Sequence, residues 1–247
     1  MHDIILSELG CVTIDHMKIP EHIVLFPDGN RRWARGRGLP TLEGHKQGYK
    51  NFLKFSEWAK NKGVKVITVF GFSTENWNRS KEEVDYLMNL LETCILDNFE
   101  KHGKSEEKKK VKVKVIGQKE RLPQSLQEAI KKVEDATANN SDLFLNLAIS
   151  YGGRWDIVNA VKKIIAEGIP AEKIDEKLFE NYLSTAELPA PDLVIRAGGE
   201  MRMSNFLLWQ AAYAELYFSP KFWPDFSEQD LDLALAEFDR RSRRFGK

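Results

Sequence analysis

Short apolar runs, each ending in a polar or glycine-rich turn, alternate with helical patterns along this chain. That alternation commits a chain to a mostly parallel sheet. Parallel neighbours need a long crossover, and the crossover helices cover both faces of the sheet. The runs are Ile23 to Phe26, Val64 to Phe72, Val111 to Ile116, Leu143 to Ser150, Leu193 to Ile195 and Glu215 to Phe218. Helices are expected over Leu42 to Lys62, about Lys81 to Lys101, Leu122 to Asn139, Trp155 to Glu167 and Asp175 to Leu183, with a last one opening at Ser227. Gly63 and Gly168 read as helix stops, and Ser80 with Glu83 and Ser227 with Asp230 as capping patterns. No repeat or linker composition divides the 247 residues. The expected architecture is therefore one α/β domain over 21–247, with about six strands flanked by helices, behind an N-terminal arm, 1–20.

Parallel strands put their carboxyl ends on one edge, where ligands of open α/β sheets bind. The densest such end is H-I-V-L-F-P-D-G-N-R-R-W, His22 to Trp33. It offers one carboxylate, Asp28, a glycine that lets backbone approach a ligand, and the forked donors of Arg31 and Arg32. One carboxylate among phosphate-type donors points to Mg²⁺ with a polyphosphate. Alone, the stretch reads equally well as a strand followed by an Asp-Gly turn. Other strand ends carry Ser73 to Arg79, Tyr151 to Arg154 and Arg196 to Glu200. Asp28, Asn76, Arg79, Arg154, Arg196, Arg202 and Glu215 are thus expected to converge on one site. Gly198 and Gly199 are read as exposing backbone N–H groups to an anion, beside Arg196, Arg202 and Ser204.

Composition excludes several classes. Lys plus Arg and Asp plus Glu each number 37, so no global field favours nucleic acid. Cys11 and Cys94 are too few for a disulfide framework and fit a reducing, cytoplasmic setting. No apolar run is long enough to span a membrane, and the first residues lack a signal-peptide pattern. The P-loop, G-x-G-x-x-G and G-x-S-x-G patterns are absent. His45 is a candidate acid or base, although a lone helical histidine is more often satisfied core. Phe70, Phe72, Trp77 and Trp209 suit either an apolar channel or plain core. The charged stretch Glu106 to Lys110 and the basic end after Arg240 read as solvated surface.

The ordered segments D-G-N-R-R-W-A (Asp28 to Ala34), G-H-K (Gly44 to Lys46), F-S-T-E-N-W-N-R (Phe72 to Arg79), E-E-V-D-Y-L-M (Glu82 to Met88), S-Y-G-G-R (Ser150 to Arg154), P-D-L-V-I-R-A-G-G-E-M-R-M-S-N-F-L-L-W-Q (Pro191 to Gln210) and A-E-L-Y-F (Ala214 to Phe218) resemble those of the cis-prenyltransferases, the undecaprenyl diphosphate synthase family. The resemblance runs from about His22 to Gly246. It implies a homodimer, a six-stranded parallel sheet with a hydrophobic tunnel, and Mg²⁺-dependent cis addition of isopentenyl diphosphate to an allylic diphosphate such as farnesyl, geranyl or geranylgeranyl diphosphate. By the family pattern, Asp28 works with Mg²⁺ and Glu215 is a second metal-side carboxylate. Gly29, Asn30, Arg32 and Trp33 belong to the allylic diphosphate pocket. Asn76, taken as catalytic, and Arg79 lie near the reacting carbons. Asn76, Ser73 and His45 lie in motifs near the proton loss, with the acceptor left open among them. Arg31, Thr74, Glu75 and Trp77 are further substrate-binding residues. Arg196, Arg202 and Ser204 hold isopentenyl diphosphate. A lipid product implies peripheral membrane contact without an anchor.

The chain departs from the family at three places. Thr41 stands where many members have Arg, leaving Arg31, Arg35 or Arg37 to supply that contact. Pro27 precedes Asp28, and Ala197-Gly198 replaces the usual Thr-Ser. The segment between Met88 and Gly117 looks longer than in bacterial members. The leading expectation is a polyprenyl diphosphate synthase for a long lipid carrier of cell-envelope glycans. The alternatives are a short-chain or branching synthase, a non-catalytic partner subunit and, outside the family, a Mg²⁺-dependent phosphohydrolase.

Overall fold

The structure is a computed structural model and describes residues 17–102 and 111–241. Most of the 1–20 arm, Cys11, the stretch Glu106 to Lys110 and the last six residues lie outside them. Six strands form one parallel sheet: β1 (His22–Phe26), β2 (Val66–Ser73), β3 (Val111–Ile116), β4 (Leu143–Tyr151), β5 (Leu193–Arg196) and β6 (Glu215–Phe218), in the order β3-β4-β2-β1-β5-β6. Every pairing is parallel. From β1 the chain builds to one side through β2, β4 and β3, then returns to the other side for β5 and β6. The order reverses between β1 and β5, which defines a crevice at their carboxyl ends.

The central strands are apolar because both faces are covered. All five residues of β1 are buried, as are all four of β5. Alternate side chains of β1 enter different cores. Ile23 and Leu25 pack with Phe55, Trp223, Phe226 and Leu231, while Val24 and Phe26 pack with Tyr151, Phe206 and Leu207. The edge strand β3, V-K-V-K-V-I, alternates instead, and β6 is half-buried. A third core holds the inward face of the helix after β2 with Phe72, Ile149 and Leu126.

Among the described residues seven α-helices accompany the strands: α1 (Asn30–Arg35), α2 (Thr41–Asn61), α3 (Lys81–His102), α4 (Gln124–Thr137), α5 (Gly153–Ala166), α6 (Glu176–Glu180) and α7 (Glu228–Arg240). Helix α1 replaces the expected loop after Asp28. Its six residues are too few to show a helical period. Helix α5 begins at Gly153, not Trp155, because Asn205 supplies partners for its first amides: Gly153 N–H donates to Asn205 O at 2.6 Å and Arg154 N–H to Asn205 Oδ1 at 2.9 Å. Pro123 stands just before α4, as its N-cap. The expected Ser227–Asp230 box is formed in both directions. No described helix is long and apolar enough to cross a membrane.

Two glycines fix where α1 sits. Asn30 presses against α2 so closely that a Cβ on Gly44 would lie 2.1 Å from Asn30 O, and one on Gly48 would lie 2.3 Å from Asn30 Oδ1. Gly48 O also accepts the Trp223 indole N–H at 2.8 Å. Gly44→Ala is expected to lose roughly 2 kcal/mol of stability, as overpacking with backbone displacement does. Urea unfolding of the variant against Lys46→Ala checks this, and an unchanged midpoint would mean that α1 and α2 are separated.

Candidate active site

A cleft of about 850 Å³ opens at the carboxyl ends of β1, β2, β4 and β5. Six arginines line it, Arg31, Arg32, Arg35, Arg79, Arg154 and Arg196, against two carboxylates, Asp28 and Glu75. Phe26, Pro27, Phe70 and Leu87 form its apolar wall.

Asp28 is at the centre. Parallel register sets Phe26 beside Arg196, so the residues just past β1 meet the last residue of β5. Arg196 Nη2 donates to Asp28 Oδ2 at 2.8 Å. Asp28 Oδ1 accepts the Gly29 N–H at 2.6 Å and lies 3.4 Å from Arg32 Nη2. Gly29 has φ of 95°, and a Cβ there would meet Phe222 Cδ1 at 2.6 Å, so glycine is required for both conformation and space. Arg196 is 4% exposed and stacks over Phe26. Its Nη1 donates to Ser204 Oγ at 2.7 Å and to Arg202 O, whereas its Nε has no partner.

The other arginines are held in two carboxylate-centred groups. Glu83 lies 3.0 Å from Arg79 and 3.6 Å from Arg31. Glu200 accepts from Arg32 at 3.0 Å and from Arg202 at 2.5 Å. His45 borders the Glu83 group with its Nε2 buried, 3.6 Å from Glu83 Oε1 and without a hydrogen bond. Burial, then the positive charges of Arg79 and Arg31, lower its pKa to about 4 against the opposing pull of Glu83. The ring is therefore neutral at pH 7. Burial likewise lowers the Arg79 pKa from its ordinary value.

Beyond β2 a short 3₁₀ turn, Thr74–Asn78, carries Asn76 into the cleft. Ser73 N–H donates to Asn76 Oδ1 at 3.1 Å, which orients the carboxamide. The β2 register slips around Phe70, Phe72 and Ser73, where the strand turns its end toward the site. Asn205 joins three parts of the cleft. It caps α5, follows Ser204 in the chain, and donates from Nδ2 to Glu75 Oε1 at 2.8 Å.

The structure brings Asp28, Gly29, Asn30, Arg31, Arg32, His45, Ser73, Glu75, Asn76, Arg79, Arg196 and Ser204 to the cleft. Five expected residues take other places. Trp33 donates to Asp225 at 2.7 Å and is covered by Arg37. Trp77 packs edge-on against Phe72 and donates to Ser150 Oγ at 2.9 Å. Thr74 packs beside Gly152, and the Arg202 side chain turns outward to Glu200. Glu215 begins β6, level with Leu193 rather than Arg196, and binds Arg241 at 3.2 Å. Three residues of strand, about 10 Å, separate it from the carboxyl edge, so one chain does not pair it with Asp28. The amides of Gly198 and Gly199 are also spent, donating to Lys221 O and Ser219 O. Of the candidate channel residues only Phe70 lines the cleft. Phe72 is core, and Trp209 packs on Phe179. Glu83, Glu200 and Asn205 lie within the motif segments but were given no site role by sequence. Among the described residues, no group of three or more His, Cys, Asp or Glu forms a ready-made metal site.

A parallel α/β sheet with an arginine-rich cleft at its switch point defines an anion-binding class of protein. Its membership is specific: the family model described as undecaprenyl diphosphate synthase matches residues 26–246. An isoprenyl transferase of Neisseria gonorrhoeae is 45% identical over 95% of this chain and 92% of its own. A chloroplastic (2Z,6Z)-farnesyl diphosphate synthase of Solanum lycopersicum is 48% identical over 92% of this chain and 79% of its own. The solved structure of lavandulyl diphosphate synthase from Lavandula x intermedia, in complex with dimethylallyl diphosphate, superposes with a TM-score of 0.88 at 42% identity, covering 93% and 99% of the two chains. The chain belongs to the undecaprenyl diphosphate synthase family and is a prenyltransferase.

His22 and His45 set an acid limit on this fold. His22 is also buried, between Pro189 O and Thr68 Oγ1, and its pKa is likewise lowered to about 4. An unfolded histidine titrates near 6.5, so between about pH 6.5 and 4 the unfolded chain binds more protons and stability falls with pH. Each ring is expected to remove about 2 kcal/mol between pH 7 and pH 5. Urea unfolding at both pH values measures the loss, and ¹⁵N imidazole spectra should show both rings neutral down to pH 5. A midpoint near 6.5 for either ring would place that ring in solvent.

Proposed function

We propose that the protein condenses isopentenyl diphosphate with an allylic diphosphate and repeats the step to build a polyprenyl diphosphate. The observation that carries this reading is the cleft itself, with Asp28 between an arginine group on α1 and another around β5. The α1 side, with Gly29, Asn30, Arg31 and Arg32, takes the allylic diphosphate. The β5 side, with Arg196 and Ser204, takes isopentenyl diphosphate, and Arg202 reaches it by leaving Glu200.

In the reaction the allylic C–O bond breaks and its electron pair leaves on diphosphate. The isopentenyl double bond forms the new C–C bond, and a proton is then lost from the isopentenyl unit. Arginines fixed before the reaction stabilise the departing charge without reorganising at that moment. Asn76, held by Ser73, borders the reacting carbons. Phe26, Phe70 and Leu87 keep water from the allyl fragment. The donor set fits Mg²⁺ carried by a diphosphate: Asp28, partly exposed, would supply a carboxylate ligand and the substrate the remaining oxygen donors. When bound, Mg²⁺ would supply charge neutralisation to the leaving diphosphate. Glu215 of the same chain is not part of that set.

The long-chain product follows the description of the family, with a tunnel continuing past Leu87. A short product is the second reading, favoured by one feature. Beyond Leu87 the inward face of α3, Val84, Met88 and Ile95, is packed into core. We further propose a homodimer through α5, where Val158, Val161 and Ile165 expose an apolar stripe spaced for one helix face. The lipid product brings the cytoplasmic protein into peripheral contact with membrane.

Purified protein, Mg²⁺, labelled isopentenyl diphosphate and a farnesyl or geranylgeranyl primer should give a ladder reaching about undecaprenyl length. Asp28→Ala should slow it at least about a hundredfold, and chelation of Mg²⁺ should stop it. A product ending at farnesyl or geranylgeranyl length would establish the short-chain reading. No product with any primer would sink the proposed condensation.

A further inference from the structure

Four of the six cleft arginines already have carboxylate partners: Arg31 and Arg79 with Glu83, Arg32 with Asp28 and Glu200, and Arg196 with Asp28. A diphosphate must share or displace those carboxylates to gain the same guanidinium. Arg35 and Arg154 are different. Both line the cleft, both are exposed, and neither side chain has an ion-pair partner among the described residues. They come from different elements. Arg35 follows Arg31 by four residues and Arg32 by three on α1, spacings that share a helix face. Arg154 occupies the first turn of α5, where its N–H is fixed by Asn205, the neighbour of Ser204.

We propose that Arg35 and Arg154 are two further substrate-binding residues, one for each half of the cleft. Arg35 holds the diphosphate of the allylic substrate, and Arg154 that of isopentenyl diphosphate. This rests on the division of the cleft proposed above. Arg35 thereby supplies the contact for which Thr41 has no charge. The other candidates already have carboxylate partners. Arg31 is paired with Glu83, and Arg37 pairs with Asp225 at 3.0 Å and stacks over Trp33. An unpaired guanidinium brings its full charge and both forked donors to a diphosphate. Being at the rim, the two residues also draw the anions in before the buried Arg196 engages, an effect that weakens with salt.

Neither substrate reacts alone, so binding of each can be measured separately by calorimetry. Farnesyl diphosphate and isopentenyl diphosphate would be titrated with Mg²⁺ into wild type, Arg35→Ala, Arg154→Ala and, as a paired control, Arg37→Ala. Arg35→Ala is expected to weaken farnesyl diphosphate about tenfold or more, as loss of a charged hydrogen-bond donor does, and to leave isopentenyl diphosphate unchanged. Arg154→Ala should do the reverse, and Arg37→Ala should do neither. Arg35→Lys and Arg154→Lys should recover part of each loss, and the losses should shrink at high salt. If wild type binds both substrates and the alanine variants bind them equally well, the assignment is wrong while the parent reading stands. Losses that fall on both substrates in both variants, or on the opposite ones, overturn the division of labour. A wild type that binds neither diphosphate overturns the parent reading and this assignment with it.

Discussion

The ion pair between Asp28 and Arg196 joins the two strands at which the sheet changes direction. Its partners come from sequence positions far apart, and only the parallel register of β1 with β5 sets them 2.8 Å apart. Arg196 is buried and Asp28 partly exposed. Removing Asp28 would therefore leave a buried guanidinium with one lost charge partner, a costly state. The pair is a structural clasp as well as the core of the cleft. Its orphaned Arg196 Nε shows that the buried guanidinium has more hydrogen-bonding capacity than the protein satisfies. A phosphate oxygen is the kind of acceptor that such a donor lacks.

Concentrating arginines at one sheet edge is unfavourable unless something offsets their repulsion. This chain does so with Glu83 and Glu200, each shared by two arginines. The neutral state of His45 belongs to the same balance. A charged imidazole beside Arg31 and Arg79 would add a third cation around one carboxylate. Burial and those guanidiniums remove it instead. Sharing also leaves each arginine less than fully satisfied, so exchange of a carboxylate for a diphosphate is a modest step rather than the rupture of a private salt bridge.

Much of the fold was legible because buried parallel strands have little choice of composition. β1, β4 and β5 read as apolar runs, and parallel geometry alone then implied that Asp28, Asn76, Arg79, Arg154 and Arg196 share an edge. The same logic places Glu215 correctly once applied to its own strand, since it starts β6 and does not end it. It was grouped with Asp28 by the strand-end argument as well as by the family pattern, although its own strand begins rather than ends there. Helix α1 was illegible for lack of a period, and with it the direction of Trp33. Trp77 and Thr74 sit within a dense motif yet turn away from the cleft, because a 3₁₀ turn sends neighbouring side chains in different directions. Glu83, Glu200 and Asn205 lie in marked segments, but their partners Arg31, Arg32 and Glu75 are remote in sequence, so no local pattern gives their roles.

A motif of this kind therefore contains both residues that face the ligand and residues that hold the backbone carrying them. Asn30 illustrates the second role within the first. Its Nδ2 donates to Pro27 O at 3.0 Å, its backbone packs against Gly44 and its side chain against Gly48. That contact sets the axis of α1, and the axis sets which of Arg31, Arg32, Arg35 and Arg37 faces inward. Arg37, past the helix end, turns to Asp225; the other three line the cleft. The G-H-K segment in α2 thus works partly through its glycine, a residue with no chemistry of its own. Binding of a diphosphate to the three inward arginines would tie α1 to the sheet edge through the ligand. The same anion that is the substrate would then stabilise the fold that binds it.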